Sequence, residues 1–413
     1  MGFKKKCPKS KCKSKAIGFR IHGDCCCTLA SGKCSRAEGC CTVASGKCSH
    51  AEGCGSRARG KCSHAEGCCT RAWGKCSHSE GCKSKAKGKC SHAEGKKTIS
   101  FGENSHAEGC GSKAKGKCSH AEGCGAESTG DCSHAEGCGT EAYGDCAHAE
   151  GKKTKASEKS SHAEGCETEA YGECSHAEGK KTKASGKNSH TEGIETKAYG
   201  DNAHAEGCGS DASGNCSHAE GCGTESKGTY SHARGKKTLA EGESSYASGV
   251  ESKARLCAQM AHASGKFYAK GDAQCCRYVL KNTTVGLEKQ KLFICGDKKL
   301  IVPLQTTWCF EICVVARRIG NFFKDFCRDN CWDIKGILQR SDADLPQDRF
   351  TLTVFSGDGP GLVTSCPWIV EIIAGDAGDL IIRVMGENGA TIRWVACVKT
   401  CEVSGDRFLS ETD

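Results

Sequence analysis

Along most of this chain small residues alternate with large polar ones, and the period is two rather than 3.6. In Ser63-His64-Ala65-Glu66-Gly67 the small residues alternate with His and Glu; in Ser56-Arg57-Ala58-Arg59-Gly60 they alternate with arginines. Period two marks strands that turn their small residues to one side. Both stretches recur every fourteen residues, at His50, His64, His78, His92, His106, His120, His134, His148, His162, His176, His190, His204, His218 and His232. The step extends upstream to Arg36 and His22 and downstream to Tyr246. Fourteen residues with two short strands and two glycine-rich joints predict one coil of a parallel β-solenoid or β-roll. Helix is disfavoured, because glycine recurs inside every unit where no cap explains it.

The frame is present from about Pro8, since Ser14, Ala16 and Gly18 hold the phase of Ser56, Ala58 and Gly60. It runs for about eighteen coils, which at about 4.8 Å per coil predicts a shaft of about 85 Å. A degenerate stretch with a two-residue register shift is expected before Ala261-His262-Ala263-Ser264-Gly265. From Phe267 the pattern changes. Trp308, Phe310, Ile312 and Val314 alternate with Cys309, Glu311 and Cys313; Ile392, Trp394, Ala396 and Val398 alternate with Arg393, Cys397 and Lys399. Further apolar runs at Phe350–Phe355, Ile369–Ile373 and Leu380–Val384 are separated by Gly-Asp turns. Many short strands with turn signals predict a β-sandwich or jelly roll with Trp308, Phe310, Ile312, Ile392 and Trp394 in its core. The expected organisation is a basic tail (1–7), a repeat shaft (8–249), a neck (250–266), a β-rich knob (267–405) and a second tail (406–413).

The two strands of a coil differ on their large-residue side. In the Ser/Thr-x-Ala-x-Gly strand these positions vary freely (Lys85/Lys87, Glu141/Tyr143, Asp211/Ser213), as on a solvent face. In the Ser-His-Ala-Glu-Gly strand they barely vary, which suggests a face that meets another surface. A thin interior of Ser, Thr, Ala and Gly buries little apolar area, so one chain should be marginal without association or cross-links.

Composition sharpens this picture. The 413 residues include 54 Gly and 38 Cys but only 5 Pro, none of them between Pro8 and Pro303. The formal charge of +9 is spread over interspersed Lys and Glu, a solvated surface rather than a nucleic-acid footprint. No stretch is long and apolar enough to span a membrane, and no secretory signal is visible. The cysteine content exceeds the level that flags a disulfide scaffold; the alternative is a set of free thiols behaving as small hydrophobes.

The repeat resembles the heads of YadA-like trimeric autotransporter adhesins, with their Ser-Val-Ala-Ile-Gly-x-x-Ser/Thr-x-Ala-x-Gly unit, over about residues 8–265. The resemblance implies an all-β fold in which three chains form a left-handed parallel β-roll with the Ser-His-Ala-Glu-Gly strand facing the three-fold axis. The axis would then be lined by His50, Glu52, His64, Glu66, His92, Glu94, His106, Glu108, His120, Glu122, His134, Glu136, His148, Glu150, His162, Glu164, His176, Glu178, His204, Glu206, His218 and Glu220. Here His and Glu replace the family's Val and Ile, and neither a signal peptide nor a C-terminal membrane anchor is visible, so autotransport is not expected. Thr306-Thr307-Trp308, Val314-Val315-Ala316-Arg317-Arg318 and Thr391-Ile392-Arg393-Trp394-Val395-Ala396 resemble the C-terminal domain of some phage tail-fibre and virion-surface proteins.

The cysteines occupy two phases, four and twelve residues after the His position. Ten units carry both: Cys26/Cys34, Cys40/Cys48, Cys54/Cys62, Cys68/Cys76, Cys82/Cys90, Cys110/Cys118, Cys124/Cys132, Cys138/Cys146, Cys166/Cys174 and Cys208/Cys216. Five units lose both together: Lys96/Asn104, Lys152/Ser160, Lys180/Asn188, Ile194/Asn202 and Lys236/Ser244. A strand of about 13 Å separates the two phases within a coil, too far for a disulfide. In a three-fold rod the first-phase Cys of one chain could meet the second-phase Cys of the next; cysteines stacked in successive coils are a second candidate pairing within one chain.

His-x-Glu pairs repeated along a strand are plausible metal ligands. Arg36 in that column cannot ligate a metal, so a His–Glu hydrogen-bond ladder across the axis is the preferred reading and no cofactor is expected. The Cys25-Cys26-Cys27 run, Cys327/Cys331 and Asp342/Asp344 are assigned no site. No Ser/His/Asp grouping, phosphate loop or paired carboxylate supports catalysis. The expected function is a trimeric adhesive fibre on the exterior of a virion, spore or similar particle. Its partners would be a host-surface receptor or a particle anchor, without nucleic acid or membrane insertion. The alternative is a metal-binding rod, or an enzyme-bearing particle component, using the His/Glu/Cys ladders.

Overall fold

The computed structural model describes residues 15–16, 27–320, 329–341, 350–357 and 367–405. His22, Cys25, Cys26, Cys327, Asp342, Asp344 and both expected tails lie outside the described residues. The chain divides into two units, Met1–Thr196 and Lys197–Asp413. No helix occurs among the described residues.

The first unit is a parallel β-solenoid of fourteen-residue coils. Each coil contributes a His strand, such as His120–Cys124, and an outer strand, such as Lys113–Ala114. Successive His strands pair in register, His106↔His120↔His134, and successive outer strands likewise, Lys85↔Ile99↔Lys113. The interior is as thin as expected. Ala65, Ala121 and Ala163 are fully buried, and so are Ser63, Ser119 and Thr168. In many coils the buried serine of the His strand also caps the preceding turn: Ser63 Oγ donates to Gly60 O at 2.7 Å and Ser119 Oγ to Gly116 O at 2.7 Å. This satisfies a hydroxyl that burial would otherwise penalise.

The glycine of Ser-His-Ala-Glu-Gly is not an interior residue. From Gly39 to Gly249 its φ lies between 89° and 120°, and it is half-buried or, at Gly207, exposed. A Cβ on Gly123 would lie 2.2 Å from Gly137 O in the next coil. Glycine is therefore demanded twice, by a backbone region that L-residues avoid and by close coil stacking. The second cysteine phase also has positive φ: Cys118 54°, Cys132 57° and Cys146 56°. Asn104 (55°) and Asn188 (53°) take this place where Cys is absent, as suits a residue that tolerates left-handed backbone.

The second unit begins with the same coils and then changes architecture. Its last roll strand, β1 (Met260–Ser264), pairs in parallel with Tyr246–Val250. Tyr246↔Met260 keeps the fourteen-residue step, so the expected two-residue shift is absent and the roll continues to Ser264 rather than stopping at 249. Met260 occupies the His place and His262 the Glu place, which disguised the frame. Among the described residues nine strands follow: β2 (Ala273–Val285), β3 (Lys289–Lys291), β4 (Leu300–Ile301), β5 (Thr306–Ile319), β6 (Asp329–Arg340), β7 (Phe350–Gly357), β8 (Ile369–Ala374), β9 (Asp379–Met385) and β10 (Thr391–Ser404). β2 pairs antiparallel with β1, so the His-strand sheet passes directly into the knob in the order β1-β2-β10-β5-β6-β7. In a second sheet β9 pairs with β8 and with β3 and β4. Trp308, Phe310, Ile312, Ile392 and Trp394 are at most 1% exposed and pack with Leu300, Ile382 and Val384 of the second sheet, as in a sandwich. Buried Glu402 joins knob to roll: it accepts from Tyr278 Oη (2.9 Å) and Gln274 Nε2 (3.2 Å) and pairs with Arg255 at 3.6 Å.

Candidate functional site

The His strand turns its large residues away from the Ala/Ser interior, and in-register pairing stacks like on like. In the first unit the imidazoles from His50 to His190 form a column with ring centroids 4.7–4.9 Å apart, the spacing of the strands themselves. In the second unit His204, His218 and His232 continue the pattern at 4.8 and 4.6 Å and end edge-on against Tyr246. Stacking covers the Nε2 atoms: those of His64, His92, His120 and His134 are buried and have no hydrogen-bond partner. Within a coil the glutamate does not supply one. His120 Nε2 lies 3.9 Å from Glu122 Oε2, and His50, His64, His92, His106, His134 and His148 repeat this at 3.9–4.0 Å, beyond hydrogen-bond range. Within one chain the imidazoles stack on one another and do not hydrogen-bond to the glutamate of their own coil. Burial, then the neighbouring imidazole, holds the pKa of His120 and His176 below the ordinary value.

His64, Glu66 and His78 bring one ligand atom each within 4.8 Å of one another, as do His92, Glu94 and His106, and His162, Glu164 and His176. Two imidazoles and a carboxylate from adjacent coils are a chemically sound set for a divalent cation.

The outer strands present a different face. Lys113 and Glu127 pair at 3.1 Å, Lys87 Nζ sits 4.3 Å over the Phe101 ring, and Lys183 Nζ 4.8 Å over Tyr171. These are exchangeable surface contacts worth little each. In the single chain the two faces are equally open: the side chains of His120 and Glu122 are 37% and 45% exposed, those of Lys113 and Lys115 44% and 40%. What separates them is regularity and the covered, unpartnered Nε2 row.

First-phase cysteines stack in register, Cys110↔Cys124↔Cys138, at one corner, and the second-phase cysteines lie at positive-φ corners. Cys34, Cys48, Cys54, Cys62, Cys68, Cys76, Cys82, Cys90, Cys118, Cys132, Cys146, Cys166, Cys174, Cys208 and Cys216 all carry unbridged thiols. The bridge Cys257–Cys295, which sequence reasoning missed, ties the last coil to the knob across 38 residues.

No family model matches the chain, and no curated protein matches it. Among solved structures it is similar to the tailspike protein of Acinetobacter baumannii bacteriophage Fri1, described as a capsular polysaccharide depolymerase. The identity is 8%, covering 90% of this chain and 79% of that one, with a TM-score of 0.23. A second is the tailspike of Acinetobacter baumannii phage AM24, at 9% identity, 92% and 58% coverage and a TM-score of 0.19. At such values no residue role carries over.

Proposed function

We propose that the chain is the subunit of a homotrimeric structural fibre on the exterior of a particle, with the knob as attachment or trimer-nucleating domain. The observation that supports this most is the row of covered, unpartnered Nε2 atoms beside a regular row of glutamates. Three such faces around an axis supply what one chain lacks: a carboxylate from a neighbour for each imidazole, and burial beyond the Ala/Ser interior. In the same arrangement the corner thiols of neighbouring chains approach one another, and interchain disulfides close the rod. The knob's partner is a receptor or the particle itself, and the reading assigns the chain no catalysis.

Native mass measurement of the full chain tests this directly, together with non-reducing denaturing electrophoresis. A trimer that survives denaturant and collapses to monomer with reductant is expected. His120→Ala with Glu122→Ala should weaken assembly, whereas Lys113→Ala with Lys115→Ala should not. A monomer in solution overturns the reading; a trimer without disulfides removes only the staple.

The His/Glu/His triads favour one further reading, a metal-loaded rod. Metal analysis of the purified protein separates the two. About one divalent ion per pair of coils supports the rod, and a metal-free trimer dismisses it.

A further inference from the structure

On the outward face of the knob sheet, strand register sets four ligand-type side chains in one row. His262 of β1 stands opposite Cys275 of β2, Cys275 opposite Cys401 of β10, and Cys401 opposite Cys309 of β5. All three thiols are exposed and unbridged, and the row lines a groove of about 590 Å³ together with Tyr246, Ser248 and Met260. The Cys275 and Cys401 sulfurs are 3.2 Å apart. Ser248 Oγ lies 3.0 Å from His262 Nδ1 and 3.3 Å from the Ala261 carbonyl oxygen. It therefore engages the ring through Nδ1 rather than Nε2. A hydroxyl or carbonyl fixing the far nitrogen in this way is the usual support of a ligating imidazole.

We propose that His262 Nε2, Cys275 Sγ and Cys401 Sγ form a binding site for a thiophilic divalent cation, zinc above all. Nitrogen and sulfur donors from three adjacent strands suit zinc's tetrahedral preference, with water from the groove in the fourth position. Two strand spacings separate His262 from Cys401, about 10 Å, and an imidazole and a thiol leaning inward over Cys275 can close that span with bonds of about 2.0–2.3 Å. The full row to Cys309 covers about 14 Å, too wide for one ion, so Cys309 is not a ligand. Binding releases two protons, one from each thiol, and the imidazole enters neutral. All three ligands belong to one chain, and His262, at the Glu place of the His strand, lies on the face that the proposed trimer turns to its axis.

The chain's many other thiols require a site-resolved measurement. Full-length protein in a non-thiol reductant is titrated with zinc, and the alkylation rate of each cysteine is read by peptide mass spectrometry. Cys275 and Cys401 should become protected together, at lower zinc than the roll columns, while Cys309 stays reactive. His262→Ala should abolish the joint protection. Ser248→Ala leaves every ligand in place and should raise the zinc midpoint by about 10–100-fold; it keeps the test informative if His262→Ala disturbs the coil. The proposal fails if Cys275 and Cys401 alkylate as fast with zinc as without. It also fails if they are bonded to each other under the reductant, if their protection survives both His262→Ala and Ser248→Ala, or if Cys309→Ser removes it.

Discussion

Replacing Gly123 by Ala isolates what holds one coil on the next. Gly123 has φ +112°, and a Cβ there would lie 2.2 Å from Gly137 O, 2.9 Å from its carbonyl carbon and 3.0 Å from its nitrogen. Every contact is backbone, so no side chain can swing aside. The left-handed conformation costs an L-residue about 1–2 kcal/mol. Relieving the overlap means parting the strands where Gly123↔Gly137 and Cys124↔Cys138 pair, and two weakened ladder bonds add about 2 kcal/mol. The expected loss is about 3–4 kcal/mol, concentrated in the coils around His120–Cys138. The control is Gly125→Ala. Gly125 has φ +72° and nothing within 4 Å of a Cβ; Lys153, Glu167 and Lys181 occupy its place in later coils at φ 55–60°. It should cost only about 1–2 kcal/mol. Amide hydrogen exchange reads the loss coil by coil, which suits a solenoid whose stability is nearly a nearest-neighbour sum. The reasoning is refuted if Gly125→Ala destabilises as much as Gly123→Ala, or if the loss in Gly123→Ala spreads evenly over the first unit.

Three further outcomes are expected. Thr168 is fully buried and its Oγ1 has no partner, so Thr168→Val should leave the denaturation midpoint unchanged or raise stability by up to about 1 kcal/mol; a clear loss would reveal a hidden bond. Burial lowers the pKa of His50, His78, His92, His120, His134, His162, His176 and His232, so below about pH 6.5 the unfolded chain protonates first. Stability should be full above that pH and fall as pH drops through the lower folded-state values; a denaturation midpoint equal at pH 7.5 and 5.5 contradicts this. Opening the Cys257–Cys295 bridge, which closes 38 residues, with a Cys257→Ala and Cys295→Ala pair should cost the second unit about 4 kcal/mol. Identical unfolding of the oxidised parent and this variant would show that the bridge does not constrain the unfolded chain.

The repeat was legible because a solenoid writes its geometry locally. Ser-x-Ala alternation gives a strand, its inner face and, through the fourteen-residue step, its partner fourteen residues on, as in His106↔His120. The knob core was legible for the same reason, since Trp308, Phe310 and Ile312 share one parity. The role of the Ser-His-Ala-Glu-Gly glycine was not: smallness suggested the interior, whereas a positive φ and the carbonyl of the next coil are what exclude a side chain. The end of the roll was hidden because Met260 and His262 break the residue pattern while the hydrogen-bonded register carries on.

The sequence by itself thus determined the solenoid, its thin Ala/Ser interior and which residues of each knob strand point inward, because these follow from period and neighbour. Only the tertiary structure decided that imidazole stacks on imidazole instead of reaching the glutamate of its own coil, because stacking fixes ring separation at the strand spacing and leaves Nε2 3.9 Å from that carboxylate. Tertiary structure alone also decided that His262, Cys275, Cys401 and Cys309 form one row. Those four are up to 139 residues apart in sequence, and antiparallel register between distant strands is set by how two sheets close over a core, which no local pattern records.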